Sequence, residues 1–476
     1  MEKAIENKEF KLNYKRTLII GFAFFGILLL WQVYDTWCPL FLTELFKKAL
    51  NADNERQVTY IVGIVMAMDN LAALLLMPLF GRLSDKTHTK LGKRMPYILV
   101  GTAVCAIAFP FIPVFFMLNN IVGTIIMMAV ILLFAMMYRN PAVSLMPDMT
   151  PKPLRSKANG LINIMGYLGG AFASIVGMIF VFKRYLGIEK YAGDPQTGNP
   201  WLIEAPFLIA SVLMLVSAVV LFILVKENKI AEEVKDEMAR GELVAESAEK
   251  LSEDDDAPLS KANKIMLFLI LGAEFFWFMA DNGVSTFLSS YIQYNTGGST
   301  LETGILTIVG GVGSVIGFVF GGIIAGKIGR KWTLLSGLFL TVAAYLFWFI
   351  FTKTLGITNS SLPFNLPLWL YILWFVKGFG MSLVHVNSYP MVVELCTGKK
   401  IGQFTGYYYA ASMTAQTITP IAFGALLLAP SFDWNTLPAY AGICIVASIA
   451  IFLFVKNVKS RKTQIKTGLS ALDQED

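Results

Sequence analysis

Trp31-Gln32-Val33-Tyr34-Asp35, followed by Phe41-Leu42, returns as Trp277-Phe278-Met279-Ala280-Asp281, followed by Phe287-Leu288, at an offset of 246 residues. The same offset lays Arg139 on His385, Asp148 on Glu394 and Gly160 on Gly406. Short matches arise by chance, but one offset shared between the first and fourth apolar runs is a poor candidate for chance. The chain therefore reads as two copies of one unit, each with about six apolar runs.

Working outward, 55% of the 476 residues are hydrophobic and 15% are charged. A soluble protein carries about a quarter charged residues, so the excess apolar surface must face lipid. A bilayer-spanning helix needs about 20 mostly apolar residues. The runs at 17–42, 58–80, 96–117, 121–145, 158–182, 201–225, 264–292, 302–326, 332–352, 367–392, 402–428 and 436–456 meet that length. The expected fold is all-α integral membrane, with 12 transmembrane helices in two pseudo-symmetric bundles. The divisions are a cytoplasmic N-terminus at 1–16, a six-helix bundle at 17–225, a charged linker at 226–263, a second bundle at 264–456 and a tail at 457–476. Repeats related by an axis along the membrane normal suit a carrier that rocks about a ligand site near the bilayer midplane.

A formal charge of +6 invites a nucleic-acid partner, but the basic residues sit in short loops beside apolar runs. Arg82, Lys86, Lys90, Lys93 and Arg94 follow the second run, Lys152, Arg155 and Lys157 the fourth, Lys327, Arg330 and Lys331 the eighth, and Lys399 and Lys400 the tenth. The opposite connections at 118–120, 293–302 and 429–435 hold no Lys or Arg. That bias places both termini in the cytoplasm of a cell-membrane protein and leaves the bilayer, not a nucleic acid, as partner. The first run lacks a small-residue cleavage pattern and is read as an uncleaved helix. Four scattered cysteines and two histidines offer no CxxC pair and no zinc spacing, so no disulfide, metal or cofactor is expected. The chain is expected to work as a monomer.

The loop after the second run reads Gly81-Arg82-Leu83-Ser84-Asp85-Lys86, a polar insert, then Gly92-Lys93-Arg94-Met95-Pro96. It resembles the signature loop of the major facilitator superfamily, with a weaker second copy at 321–331 in which Ala325 replaces the acid. With Asn140-Pro141-Ala142-Val143-Ser144-Leu145-Met146-Pro147-Asp148 and Arg155-Ser156-Lys157-Ala158-Asn159-Gly160, the chain is similar to the sucrose/proton symporters of the glycoside-pentoside-hexuronide cation symporter group and the related animal sugar carriers. The resemblance is dense over residues 60–180 and implies inward movement of a disaccharide or other glycoside with a proton. It departs from that group at Ile131 and Val143, where a fourth-helix Asp and Arg are typical, and Arg139 stands one helical turn from the expected Arg. A cytoplasmic gate is expected from Gly81, Asp85, Arg94, Asp148, Arg155 and Glu394, with Asp85 reaching cations across the cytoplasmic gap.

A charge near the bilayer centre costs about 2.5–3.5 kcal/mol on insertion scales, so each one calls for a role. Asp69, mid-helix with Asn70 beside it, is the first choice for proton coupling, because a buried carboxyl can be held neutral and exchange a proton. Glu274 is the second. Glu274 and Lys377 fall at similar depth, and each is a natural counter-ion for the other. Asp35, Asn70, Arg139, Asp281 and its neighbour Asn282, Lys377 and His385 are expected at a substrate site, since all can hydrogen-bond a polyol. Trp31 and Trp277 either stack a sugar ring or simply pack. The favoured function is import of a neutral sugar with H⁺, or with Na⁺ as the alternative ion. An exporter of lipophilic compounds would use the 36 Phe and 21 Met. An enzyme would need a nucleophile, metal cluster or phosphate loop, and none is visible.

Overall fold

The computed structural model describes residues 10–250, 261–356, 366–393, 395 and 401–456. Among them twelve helices are long and apolar enough to cross a bilayer. They are α1 (Tyr14–Leu50), α2 (Arg56–Lys86), α3 (Met95–Met117), α4 (Ile121–Asp148), α5 (Arg155–Ile179) and α6 (Trp201–Leu224) in the first half. The second half holds α7 (Lys261–Asn295), α8 (Thr300–Ile328), α9 (Arg330–Thr354), α10 (Leu368–Val393), α11 (Ile401–Leu428) and α12 (Thr436–Leu453).

Several helices outrun the apolar runs that announced them. α1 begins where the Asn13 side chain accepts from the Arg16 N–H and continues to Leu50, eight residues past the run ending at Leu42. Lys47 and Lys48 end this extension, where cations complement the partial negative charge of a helix C-terminus. Asn51 then stops the helix in the left-handed conformation. Hydropathy marks the lipid-facing length, whereas caps mark the helix. The linker, too, is partly helical, over Glu227–Glu233 and Lys235–Lys250.

Each half packs its own buried apolar core. One runs from Ile20 to Val225 around Trp37, Phe41 and Phe207, the other from Met266 to Val455 around Trp277, Tyr291 and Trp348. The halves meet through α2 against α11, α5 against α8 and α1 against α7. They are tight at the end away from the chain termini. There the Gly63 backbone presses on the Pro420 carbonyl, and a Cβ on Gly424 would stand 2.7 Å from the Tyr60 Cα. At the end bearing the termini, a Cβ on Gly160 or on its repeat partner Gly406 would meet nothing within 4 Å. The bundle is thus closed at one end and open at the other.

Candidate functional site

Between the halves, α1, α5, α7, α8 and α10 enclose a cavity of about 280 Å³. Its wall is unusually polar for a membrane interior, with Gln32, Thr36, Ser289, Thr303, Thr307 and Ser314 facing it. Asp35 contributes a carboxylate from one half and Lys377 an ammonium from the other. The backbone at Gly310, Gly311 and Gly378 completes one side, so α8 and α10 approach without intervening side chains.

The ionisable residues predicted for the membrane interior form two groups. In the first half Asp35 and Asp69 lie within electrostatic range of Arg139, yet neither forms an ion pair with it. Arg139 instead lies 5.8 Å from the centre of the Trp31 ring, and Tyr409 of α11 is near it. Asn70 donates from Nδ2 to the Asp69 Oδ1 at 2.8 Å. In the second half Lys377 donates to the Asp281 Oδ1 at 2.6 Å, and the His385 Nε2 is 3.9 Å from the Asp281 Oδ2. Phe278 packs against the His385 ring at 5.3 Å. The repeat read in the sequence therefore has a spatial counterpart, with an acid on the first helix of each half facing a basic residue on the fourth.

Several expectations are corrected. Lys377 pairs with Asp281, not with Glu274, whose side chain is fully buried with both oxygens lacking a hydrogen-bond partner. Trp277 is fully buried against Phe452 and Phe278 and does not reach the cavity wall, because that face of α7 is covered by α12. Asn282 is likewise off the wall, with its Oδ1 buried and unpartnered, and Trp31, Asn70, Arg139, Asp281 and His385 do not line the cavity either, so of the expected substrate residues only Asp35 and Lys377 do.

The signature loop is organised within the first half. The Arg94 Nε donates to the Asp148 Oδ2 at 2.8 Å, and its other nitrogens reach Ser84 and Asp85. Burial opposes the charge of Arg94, but the hydrogen bond from Arg94 to Asp148 and the charges of Asp148 and Asp85 outweigh it and hold its pKa above the ordinary value. Arg155 donates to the carbonyls of Thr150 and Pro147. Gly81 is needed because the Asn140 side chain lies where a Cβ would stand. Asp85 thus pairs with Arg94 of its own half, not across the gap as expected, because the halves stand apart at this end. Glu394 lies outside the described residues.

Sequence reasoning missed Glu227, at the start of the linker. Its carboxylate accepts the backbone N–H groups of Lys93, Arg94 and Met95, capping α3 and tying the linker to the loop. Also missed are the residues that close the far end. The Tyr294 hydroxyl donates to Glu44 at 2.8 Å and the Trp434 indole to Glu55 at 3.0 Å. Arg56 donates to the Phe432 carbonyl, and Thr300 to the Phe180 carbonyl. The one signal available was Ser299-x-x-Glu302, a capping box that starts α8 in this closure.

This geometry has counterparts among known proteins. The family model described as Major Facilitator Superfamily matches residues 20–280 and 266–472. No curated protein sequence matches the chain. Among solved structures, the inward-open conformation of the xylose transporter XylE from E. coli is similar at TM-score 0.61 and 16% identity, covering 94% of this chain and 97% of that one. A peptide transporter POT in complex with sulfate gives 0.62 and 14%, covering 92% of this chain and 93% of that one. A bacterial homologue of the iron transporter ferroportin in an inward-facing state gives 0.62 and 14%, covering 94% and 99%. At such identities the likeness is one of fold.

Proposed function

We propose that this chain, which belongs to the Major Facilitator Superfamily, imports a neutral sugar, a disaccharide or other glycoside, together with a proton. The superfamily makes it a multi-pass membrane transporter. The observation that carries the finer reading is the cavity between the halves, where hydroxyls, an amide, one carboxylate and one ammonium line the wall beside Tyr167, Trp374, Val284 and Leu288. Such a wall matches the alternating donors and acceptors of a polyol. An exporter of lipophilic compounds would need a wall dominated by apolar and aromatic side chains. With basic loops on the cytoplasmic side, the open end faces the cytoplasm and the bundle is in its inward-open state.

In the cycle, Asp69 takes up a proton while the site faces outward, and sugar enters the cavity. The halves then rock about their contacts, opening the cytoplasmic end, and sugar and proton leave. One charge crossing about 100 mV supplies about 2.3 kcal/mol, which at about 1.36 kcal/mol per decade is roughly fifty-fold accumulation.

The deciding experiment is uptake of a labelled disaccharide panel into proteoliposomes under imposed proton or sodium gradients. Uptake driven by the proton gradient, with external alkalinisation in lightly buffered de-energised cells, is expected. Uptake that requires Na⁺ and leaves pH unchanged would transfer the coupling to Na⁺. Absence of transport for every sugar, with efflux of lipophilic cations, would replace the reading by the exporter.

A further inference from the structure

The cavity hydroxyls are mostly committed as donors. Ser285 donates to the Asp281 carbonyl, Thr303 to Ser299, Thr307 to Thr303 and Ser314 to the Gly378 carbonyl. A hydroxyl that donates to its backbone keeps its lone pairs, so these groups present acceptors to a ligand. Gln32 donates one amide N–H to Thr36 and keeps its carbonyl oxygen and its second N–H, and Asp35 adds a carboxylate. The donors on the wall are the hydroxyls of Thr36, Tyr167 and Ser289, the Trp374 indole and the N–H groups of Lys377 that Asp281 does not take, and of these only Lys377 is charged.

The charges lean the same way. With the coupling proton on Asp69, Asp35 and Asp281 balance the two permanent cations Arg139 and Lys377, so the preference depends on where each charge is spent. Lys377 contacts Asp281 directly, whereas Arg139 closes on neither first-half carboxylate, so the Asp35 carboxylate on the wall has no close cation of its own.

We infer that the cavity selects its ligand by charge as well as by hydroxyl pattern, accepting sugars that are uncharged or carry a free amine and refusing uronates and sugar phosphates. The inference rests on the sugar reading and names the charge class of its substrate. An ammonium group seats against Asp35, where acceptors predominate. A carboxylate or phosphate at the same place meets Asp35 and lone pairs, and like charges so placed repel.

The test holds one hexose skeleton constant and varies its charge. Glucose, glucosamine, glucuronate and glucose 6-phosphate compete against uptake of whichever labelled neutral sugar the wild-type protein transports. Glucosamine is expected to inhibit at least as strongly as glucose, and the two anions about tenfold or more weakly. In Asp35→Asn the ratio of glucosamine to glucose inhibition should fall, and the penalty on glucuronate should shrink. Equal inhibition by glucose and glucuronate in the wild-type protein overturns the inference and leaves the sugar reading standing. So does a ratio unchanged in Asp35→Asn. If that variant lacks uptake, the wild-type competition decides alone. Failure of the wild-type protein to move any sugar removes the sugar reading, and this one with it.

Discussion

The closed end should open when its two charged hydrogen bonds are cut. Tyr294→Phe and Trp434→Phe remove the donors to Glu44 and Glu55 and leave apolar aromatic side chains in place. A hydrogen bond to a charged group contributes about 1.5–3 kcal/mol. The Glu44 side chain is 23% exposed, which argues for the low end of that range. Together the pair contributes about 3 kcal/mol to closure, or roughly two decades in the ratio of closed to open states at about 1.4 kcal/mol per decade. The freed carboxylates lose nothing further once the end opens, because water then reaches them. Ser289 reports the change, since it is buried on the cavity wall. In a background whose four native cysteines are replaced, Ser289→Cys should react with a membrane-impermeant thiol reagent from the closed side about tenfold to a hundredfold faster in the double variant. Each single variant should lie between. A labelling rate unchanged by both substitutions would mean that closure rests on the α2–α11 and α5–α8 packing alone, and the hydrogen-bond argument would fail.

Asp69→Asn should abolish gradient-driven accumulation while sugar exchange, which needs no net proton movement, partly survives; if the variant still concentrates sugar, the coupling role passes to Glu274, and Glu274→Gln is the variant to assay. Lys377→Met and Asp281→Asn should each destabilise the protein, while the double variant recovers part of the loss, with a coupling of about 1–3 kcal/mol for a direct contact. Thermal unfolding of the four proteins measures it, and additivity within about 0.5 kcal/mol would deny the ion pair any energetic weight. At Gly311 an added Cβ meets nothing within 4 Å, whereas at Gly310 it would stand 2.8 Å from the Trp374 Cδ1. Gly311→Leu should therefore fold and discriminate against larger sugars in uptake, and Gly310→Leu should reduce the amount of folded protein in size-exclusion profiles; the opposite pattern would remove Gly311 from the cavity wall.

The fold was legible because two signals that do not depend on tertiary detail agreed, the apolar lengths and the 246-residue offset. The members of the site were legible in part, since charge in a bilayer is costly enough to mark itself. Their pairing was not. Glu274 and Asp281 are seven residues apart, two turns and about 10 Å along one stripe of α7. Residue counting assigns Lys377 to either of them. The neighbours decide, because α7 packs on α11 and α12, with Glu274 fully buried near Tyr408 while Asp281 stays a quarter exposed beside α10. The closure of the far end was invisible for a related reason. Glu44 meets Tyr294 and Glu55 meets Trp434 across separations of 250 and 379 residues, and no local pattern announces such a partner.

Where the repeat fails is as informative as where it holds. The offset lays Lys377 on Ile131 and Val315 on Asp69. Ile131 is fully buried in the apolar core of the first half, so no cation stands there to meet Asp35 as Lys377 meets Asp281. The second half thus holds Asp281 with its own close cation, apart from the buried and unpartnered Glu274, and the first holds two carboxylates around an arginine that closes on neither. A closed ion pair resists taking up a proton, because protonating Asp281 would strip Lys377 of its partner. The two acids of the first half face no such loss, and a single proton between them leaves Arg139 balanced by the remaining charge. On the proposed coupling, substitution at two repeat positions would divide the labour, with the proton taken up in the first half and Lys377 and Asp281 spent on holding α7 to α10. Restoring symmetry is the sharpest check of that division. Ile131→Lys should supply Asp35 with a close cation, and if the division is right it should weaken proton-driven accumulation even with Asp69 intact. Undiminished accumulation in a folded Ile131→Lys protein would place the proton elsewhere.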